Sequence, residues 1–445
     1  MNLDGKQASK PETCIGSGGG CFSENLFWEY IRRVGKSLNT RLSRQKGIIV
    51  LLFLGWFVSS IDRMFINIAI LPIGKELDMD AATFGIVLSI FYLGYTLMQI
   101  PGGMLADRYG SKYAIIVTIL VFSLFAGLSG VAWSVTSLLV IRFFFGLGEG
   151  AFPGAATKLM SENVSPEKRS SAQSVLLVAI VLGGFVASIA GAYFITQLGW
   201  RNVYICLGIM GGIIALLYTL FLRSDKTNHS EIKQQEGKVS ITSLLKSPSM
   251  WKIMAALFGL YTAIWGLNSW VPSYLMNVRK LNLLETGIYS SLPAIAGMIG
   301  YLVGGWLVDK VFVNRERLLI IFGNLLSAIC IFVMFNVEYL TMTILFQNMA
   351  AFFLQIAYMG ILAVPLKLLP STIMGSAFGM INTGANLAAF ITPAVMGALI
   401  QLFNGSYYIA FCYLIVGTIL SLIMGLLLGN VRNDFVQSHD GSKTA

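Results

Sequence analysis

The sequence predicts an all-α polytopic membrane protein whose twelve membrane-spanning helices form two pseudo-symmetric six-helix bundles. Of the 445 residues, 56% are hydrophobic and 12% are charged, whereas soluble domains carry about 25% charged residues. Twelve apolar runs reach the length of about 20 residues that a helix needs to cross a bilayer. One long polar stretch, residues 223–250, divides these runs six and six.

The elements follow in chain order from a polar N-terminal tail, residues 1–47. Within it, residues 25–36 mix apolar side chains with Arg32, Arg33 and Lys36, a pattern that predicts an interfacial helix on an anionic membrane surface. The predicted spans are 48–70, 83–106, 113–133, 136–158, 171–196, 201–222, 251–276, 285–308, 317–336, 340–366, 373–401 and 406–429. This gives an N-terminal bundle at 48–222, a central loop at 223–250, a C-terminal bundle at 251–429 and a tail at 430–445.

The basic residues predict the orientation of the chain. If the N-terminus is inside, 25 of the 31 Lys and Arg residues lie in cytoplasmic segments, four lie in outer loops and two lie within spans. Cytoplasmic loops of membrane proteins carry such an excess of Lys and Arg. We therefore expect a multi-pass protein of the inner or plasma membrane with both termini, the central loop and both tails in the cytoplasm. The net charge of +10 is then explained by basic residues in the cytoplasmic segments, and a nucleic-acid partner is not expected.

Sequence signatures of other function classes are missing. There is no phosphate-binding G-x4-G-K-[S/T] loop, no G-x-S-x-G and no H-E-x-x-H, so we expect no enzyme activity, no catalytic residues, no cofactor and no metal site. The two histidines, His229 and His439, lie in hydrophilic stretches. The expected partners are the lipid bilayer and a transported solute, and the expected state is a monomer.

An internal repeat links the two halves of the chain. Span 2 ends in GGMLADRYGSK (102–112) and span 8 ends in GGWLVDKVFVNR (304–315). A second echo pairs SAQSVLLVAIVLGGF (171–185) with SAFGMINTGANLAAF (376–390) at a similar offset. Two halves with equivalent signals predict a pseudo-symmetric transporter.

The first copy of the repeat resembles the signature loop of the major facilitator superfamily (MFS). The match is Gly103-x-Leu105-Ala106-Asp107-Arg108-x-Gly110-x-Lys112, and the resemblance covers the chain from about 48 to 429. It implies the MFS fold and a loop that braces the bundles on the cytoplasmic side during alternating access. The gating residues that it implies are Gly103, Asp107, Arg108, Gly110 and, in the second copy, Asp309.

Four ionisable side chains lie well within predicted spans: Asp62, Arg63, Arg142 and Glu149. Each charge at the bilayer centre costs about 2.5–3.5 kcal/mol on insertion scales, so such residues face one another or a wet cavity. At about 1.5 Å per residue, Asp62 and Arg142 lie at matching depths and are predicted to pair. Arg63 points about 100° away from Asp62 and could reach Glu149 or a substrate anion.

Two arginines with two carboxylates suggest a coupling mechanism. Protonation of Asp62 or Glu149 would free an arginine, Arg63 or Arg142, to bind a substrate carboxylate. Loss of the proton inside the cell would restore the pair and expel the anion.

The same residues resemble the anion:cation symporter family, which includes proton-coupled sugar-acid transporters and vesicular glutamate and sialic acid carriers. The resemblance rests on Ile61-Asp62-Arg63 and on Arg142-x6-Glu149. It implies proton-driven uptake of a small organic anion. Further positions that match the family, and would contribute to anion binding, are Tyr95, Trp265, Trp270 and Asn382.

Three departures from the family pattern leave the substrate open. Ser60, Ile180 and the segment 364–367 stand where sugar-acid members carry hydroxyl-reading groups, so a smaller carboxylate or a sulfonate fits equally well. The alternatives to uptake are a ligand sensor that keeps the fold without net transport, and a proton-driven exporter.

Overall fold

The structure is a computed structural model that describes residues 24–164, 166–222, 247–313, 315–368 and 374–428. These residues form helices joined by short turns. The helices are α1 (Glu24–Glu76), α2 (Ala81–Tyr109), α3 (Ser111–Ser129), α4 (Val135–Gly150), α5 (Phe152–Asn163), α6 (Pro166–Phe221), α7 (Pro248–Asn277), α8 (Leu283–Trp306), α9 (Glu316–Asn336), α10 (Leu340–Leu368), α11 (Met374–Leu402) and α12 (Tyr407–Leu427). A π-helical turn, Leu307–Val311, follows α8.

Eleven helical stretches in the described part of the chain are long and apolar enough to cross a membrane. The longest helix, α6, is interrupted at Gly199, whose φ of 76° is not helical, and left-handed backbone of this kind favours glycine. The two arms of α6 correspond to the predicted spans 171–196 and 201–222, so the twelve-span prediction is confirmed. The predicted span 136–158 is divided at Ala151, where α4 ends and α5 begins with Pro153 in its first turn.

Some of the predicted boundaries lie outside the described residues. This holds for most of the central loop (223–246), for the C-terminal tail and for residues 1–23. Residues 25–36, where an interfacial helix is predicted, are helical, but their location on a membrane surface stays a prediction. The division into bundles at the proposed boundaries also stays a prediction.

Close helix packing in the N-terminal bundle brings α4 against α2. A Cβ at Gly146 would lie 2.1 Å from the Phe91 carbonyl oxygen, and one at Gly150 would lie 2.3 Å from the Tyr95 carbonyl oxygen. These distances are shorter than any real contact, so the small residues set how near the two backbones come. The result is that the α4 face carrying the buried charges meets the α2 face carrying Tyr95.

The two halves meet through equivalent helices: α2 packs against α11, and α6 packs against α8. Helices α2 and α11 touch at the end of the molecule that carries the turns 77–80 and 403–406. This end is called the predicted outer end. There the Gln401 amide nitrogen donates to Asp80 Oδ2 at 2.9 Å, and the Ala82 N–H donates to Gln401 Oε1 at 3.2 Å. A Cβ at Gly85 would lie 2.3 Å from the Pro393 carbonyl oxygen, so the helices touch backbone to backbone.

The predicted gating loop is a tight turn between α2 and α3. Gly110 has a φ of 90° and donates its N–H to the Ala106 carbonyl oxygen. The same carbonyl accepts a hydrogen bond from Lys158 Nζ at 2.8 Å, which ties the loop to α5, and the Arg108 guanidinium lies over the Tyr109 ring. In the second copy, Asp309 lies in the π-helical turn.

Two residues of the predicted gating set remain, Gly103 and Asp107. A Cβ at Gly103 would meet no atom within 4 Å, and the side chain of Asp107 lies outside the described residues. The gating role of the loop stays a prediction.

Candidate functional site

The four ionisable residues that the sequence places within spans lie together between α1 and α4. Asp62 and Arg142 are each 1% exposed and Glu149 is fully buried, while the Arg63 side chain keeps 12% of its surface. Buried charges are tolerated only when they are paired, hydrogen-bonded or neutralised. The contacts of each group therefore indicate its role.

Arg63 and Glu149 form the central ion pair. The Arg63 Nε and Nη2 atoms lie 2.9 and 2.5 Å from Glu149 Oε1, and Ser59 donates its hydroxyl to the same oxygen at 2.7 Å. The Arg63 guanidinium also lies over the Tyr95 ring, 5.3 Å from its centroid, within the range of a cation–π interaction. Of the two partners that the sequence leaves open for Arg63, Glu149 or a substrate anion, the structure shows Glu149, and Tyr95 contacts the same guanidinium.

The predicted pairing of Asp62 with Arg142 is wrong. Both carboxylate oxygens of Asp62 are buried without a hydrogen-bond partner, and Arg142 Nη2 instead bonds the Tyr204 hydroxyl at 2.9 Å. The rings of Phe145 and Tyr204 flank the Arg142 guanidinium at 5.4 and 5.5 Å. Matching depths along two helices fix the height of two side chains but not the direction in which they point.

The site therefore holds one closed ion pair, Arg63–Glu149, and buried atoms on Asp62, Glu149 and Arg142 that lack a hydrogen-bond partner. Asp62 has no donor on either oxygen, Glu149 Oε2 is also buried without a partner, and Arg142 Nε has no acceptor. The arrangement thus offers two carboxylates that can take up a proton and two guanidinium groups that can bind an anion.

The two tryptophans that the sequence assigns to anion binding lie in different places. Trp265 packs on Tyr92 of α2, with ring centroids 4.7 Å apart, and lines a cavity between the bundles. Trp270 is buried at the predicted outer end, where its indole nitrogen donates to the Pro393 carbonyl oxygen at 3.1 Å and its ring packs on Phe84 at 5.2 Å. The structure does not bring Trp270 to the charged group.

Asn382 also lies apart from this group. It is exposed on α11 and is not among the residues that line the cavity beside Trp265. Four residues further along the helix, Asn386 donates to Gln99 Oε1 at 3.0 Å and so connects α11 with α2.

Two residues of the site were missed by sequence reasoning. Ser59 lies four residues before Arg63, and residues at this spacing share a helix face, so it could have been found. Tyr204 holds Arg142 from the second arm of α6, and the sequence carries no signal for that contact because it depends on how α6 folds back after Gly199.

The cavity beside Trp265 has a volume of about 270 Å³. Met64 and Asn67 line it from α1, Ile180 and Ser188 from α6, and side chains of α7, α8 and α10 complete it. Asn67 follows Arg63 by one helical turn on the same face, so the cavity lies along the helix face that carries Arg63, although none of the four charged residues lines it. A cavity between two sets of helices, together with ionisable residues buried within spans, is typical of membrane transporters.

Comparison with known families agrees with this class. The model of the Major Facilitator Superfamily matches residues 52–393, and the chain belongs to this superfamily of transporters, which are not enzymes. Among solved structures, a bacterial homologue of the human lysosomal transporter Spinster, inward-facing and unoccupied, superposes with a TM-score of 0.74. The two are 19% identical, over 89% of this chain and 98% of that one.

Three curated relatives are similar over most of their length. The probable sulfoacetate transporter SauU of Cupriavidus necator is 29% identical, over 88% of this chain and 96% of its own. The hexuronate transporter of Bacillus subtilis is 27% identical, over 82% and 90%. The probable galactarate/D-glucarate transporter GudP of Escherichia coli is 26% identical, over 90% and 97%.

Proposed function

We propose that this protein is a secondary active transporter that takes up a small organic anion together with protons by alternating access. The observation that carries the proposal is the buried set of two carboxylates and two guanidinium groups, one pair closed and one carboxylate without a donor. The three relatives, which are named as sulfoacetate, hexuronate and galactarate/glucarate transporters, support an anionic substrate. We further propose that both termini are cytoplasmic in the inner or plasma membrane.

Coupling follows from the charges of this set. With both carboxylates ionised, two negative and two positive charges cancel, and an entering anion would leave an uncompensated buried charge. A proton on Asp62 or Glu149 restores neutrality, because it removes one negative charge as the anion adds another. The anion and the proton therefore stabilise each other's binding.

The closed pair gives each residue a role. Protonation of Glu149 weakens its ion pair with Arg63 and releases the Arg63 guanidinium toward the cavity. The Tyr95 ring supports this guanidinium through a cation–π contact. Arg142 is held in place by the Tyr204 hydroxyl and contributes positive charge. Asp62, which has no donor, serves as a second proton acceptor.

The proposal is tested with purified protein in proteoliposomes and labelled hexuronate, galactarate and sulfoacetate. A pH gradient, acid outside, should drive accumulation of at least one anion above its equilibrium level. Asp62→Asn and Glu149→Gln should abolish that accumulation, while exchange of labelled for unlabelled anion survives in at least one of them.

Other outcomes would identify other functions. Binding without any flux would indicate a sensor, and outward movement of solute against its gradient would indicate an exporter. Gradient-driven uptake that persists in both variants would contradict the coupling mechanism.

A further inference from the structure

A second hydrogen bond between α2 and α11 lies in the interior of the molecule. The Asn386 amide nitrogen donates to Gln99 Oε1 at 3.0 Å, and both residues are half-buried. At about 1.5 Å per residue, this bond lies about 20–30 Å along the two helices from the Asp80–Gln401 bond at the predicted outer end. The N-terminal and C-terminal halves are therefore joined by side chains deep within the spans as well as at one end.

Gln99 also contacts the charged group, through Tyr95. The two residues are four apart on α2 and share a helix face, and their side chains are hydrogen-bonded. The Arg63 guanidinium lies over the Tyr95 ring, 5.3 Å from its centroid, and pairs with Glu149. Gln99 thus has a hydrogen bond to each half of the protein, one to Tyr95 and one to Asn386.

These contacts form a continuous chain from α4 to α11, called the α4–α11 chain. Its members in order are Glu149, Arg63, Tyr95, Gln99 and Asn386. A buried amide that loses its partner costs about 1–3 kcal/mol, so the bond between the two amides resists opening. A movement of α11 relative to α2 therefore displaces the Gln99 side chain or leaves it unpaired, and both outcomes change the support of Tyr95.

The backbone at Tyr95 cannot absorb such a displacement, because α4 rests directly against it. A Cβ at Gly146 would lie 3.0 Å from the Tyr95 backbone nitrogen, and one at Gly150 would lie 2.3 Å from the Tyr95 carbonyl oxygen. A displacement at Gln99 is therefore expected to move the Tyr95 side chain and not its backbone. The ring of this side chain supports the Arg63 guanidinium, so the displacement reaches the ion pair.

We infer that Gln99 and Asn386 are positioning residues for proton coupling, because they link the Arg63–Glu149 pair through Tyr95 to α11 in the other half. Opening of the ion pair then changes the hold of α2 on α11. Movement of α11 changes the stability of the pair in turn, since coupling between two sites is reciprocal. In this role neither amide binds the anion or carries the proton. The inference rests on the proposed function for what the ion pair does.

The first test is the number of protons taken up per anion, measured in proteoliposomes with a pH-sensitive dye and labelled hexuronate. Gln99→Leu and Asn386→Leu should each lower this ratio by about twofold or more, because the two halves then alternate without reference to the ion pair. If the bond only packs α2 against α11, the uptake rate would fall and the ratio would keep its wild-type value. An unchanged ratio in both variants would overturn the inference.

A matched control and a rescue variant accompany this test. Thr96 is half-buried on α2, and its hydroxyl donates to the Tyr92 carbonyl oxygen of its own helix at 2.7 Å. Thr96→Val therefore removes a hydrogen bond near Gln99 without breaking a link between helices, and it should keep the wild-type ratio. The exchange of the two amides, Gln99→Asn with Asn386→Gln, keeps both groups and their combined length. It should restore the ratio, whereas Gln99→Asn alone should not.

A thermal-stability cycle on the purified full-length protein tests the same chain without flux. Substitutions at distant sites that share no partner shift stability additively, within about 0.3–0.5 kcal/mol. Glu149→Gln and Asn386→Leu are in different halves, but both break the α4–α11 chain, so the melting-temperature shift of the double variant should fall short of the sum of the single shifts. The control is Glu149→Gln with Asn348→Leu, because Asn348 bonds the Ile344 carbonyl oxygen of its own helix, and these shifts should add.

Additive shifts for Glu149→Gln with Asn386→Leu would overturn the inference. A wild-type protein that moves no anion would contradict the proposed function. The thermal-stability cycle would then still decide whether the two amides are linked to the ion pair, so failure of the one is distinguishable from failure of the other.

Discussion

The charged residues show what sequence reasoning can and cannot reach at the scale of single side chains. Their identity was predicted, and Glu149 was one of the two partners expected for Arg63, because a charge within a span must find a partner. The Asp62–Arg142 pair was wrong because Arg142 turns to Tyr204, on a helix arm whose placement depends on the break at Gly199. Depth along a helix can be read from a sequence, whereas side-chain direction requires the neighbouring helices.

The two tryptophans are a second case in which the sequence identifies residues but not the direction of their side chains, and helix geometry gives the reason. Trp265 and Trp270 lie five residues apart, and at about 100° per residue they point about 140° apart around α7. They therefore cannot both face one cavity. The structure assigns Trp265 to the cavity and Trp270 to the α2–α11 contact.

This assignment predicts different effects for the same substitution. Trp265→Ala should raise the hexuronate Kd about three- to tenfold, because an aromatic face of the cavity is lost. Trp270→Ala should change that Kd by less than about twofold, but it should open the predicted outer end, since its hydrogen bond to Pro393 and its packing on Phe84 are removed. Calorimetry measures the first effect, and labelling of an Asn67→Cys reporter by an impermeant maleimide measures the second. Equal effects of both substitutions on the Kd would contradict the assignment.

At the scale of helices, close backbone contact at the predicted outer end holds α2 against α11. The contact rests on Gly85, on Gly397, where a Cβ would lie 2.3 Å from the Ala81 carbonyl oxygen, and on the Asp80–Gln401 hydrogen bond. The sequence predicts both helices and their glycines. It does not show which pairs of helices meet between the bundles, because α2 and α11 are about 300 residues apart and share no pattern.

Alanine at these glycines should shift the molecule toward an outward-open state. A Cβ cannot fit at the distances found, so Gly85→Ala and Gly397→Ala should each separate α2 from α11 and increase maleimide labelling of Asn67→Cys from outside. The control is Gly212→Ala, because a Cβ at Gly212 meets no atom within 4 Å. Labelling of both glycine variants at the level of the control would show that the contact does not close this end.

The proton that drives transport should not open this contact at Asp80. Hydrogen bonds from Thr83, and a further one from Gln401, hold the pKa of Asp80 below its ordinary value. Because the pKa of Asp80 is lowered in the folded protein, ionised Asp80 stabilises the contact fully at any pH above its ordinary pKa. This stabilisation is lost only as the pH falls through the lowered pKa. Outer labelling of Asn67→Cys, measured with Asp62→Asn and Glu149→Gln also present so that these two carboxylates do not titrate, should therefore be the same at pH 7 and pH 5.5. A rise over this range would show that acid opens the contact at Asp80.

At the scale of the whole molecule, composition and charge distribution predicted most of the architecture. The twelve spans and the two-bundle fold are confirmed. They were predictable because the length and apolarity of a segment determine whether it inserts into a membrane. The cavity could not be predicted, because polar residues that line it, such as Gln347 and Gln355, are equally compatible with helix–helix hydrogen bonding until the surrounding helices are placed. The repeat predicted the symmetry of the fold, and the site itself is asymmetric, with charges on one side and neutral polar groups on the other.

Proton coupling is the central claim, and the most direct measurement is the internal pH of proteoliposomes loaded with a pH-sensitive dye. An inward gradient of hexuronate, with no initial pH gradient and with the membrane potential clamped, should acidify the interior. Glu149→Gln should remove the acidification, because the proton that accompanies the anion has lost its site. Uptake of labelled hexuronate by the wild-type protein without any change in internal pH would contradict the account.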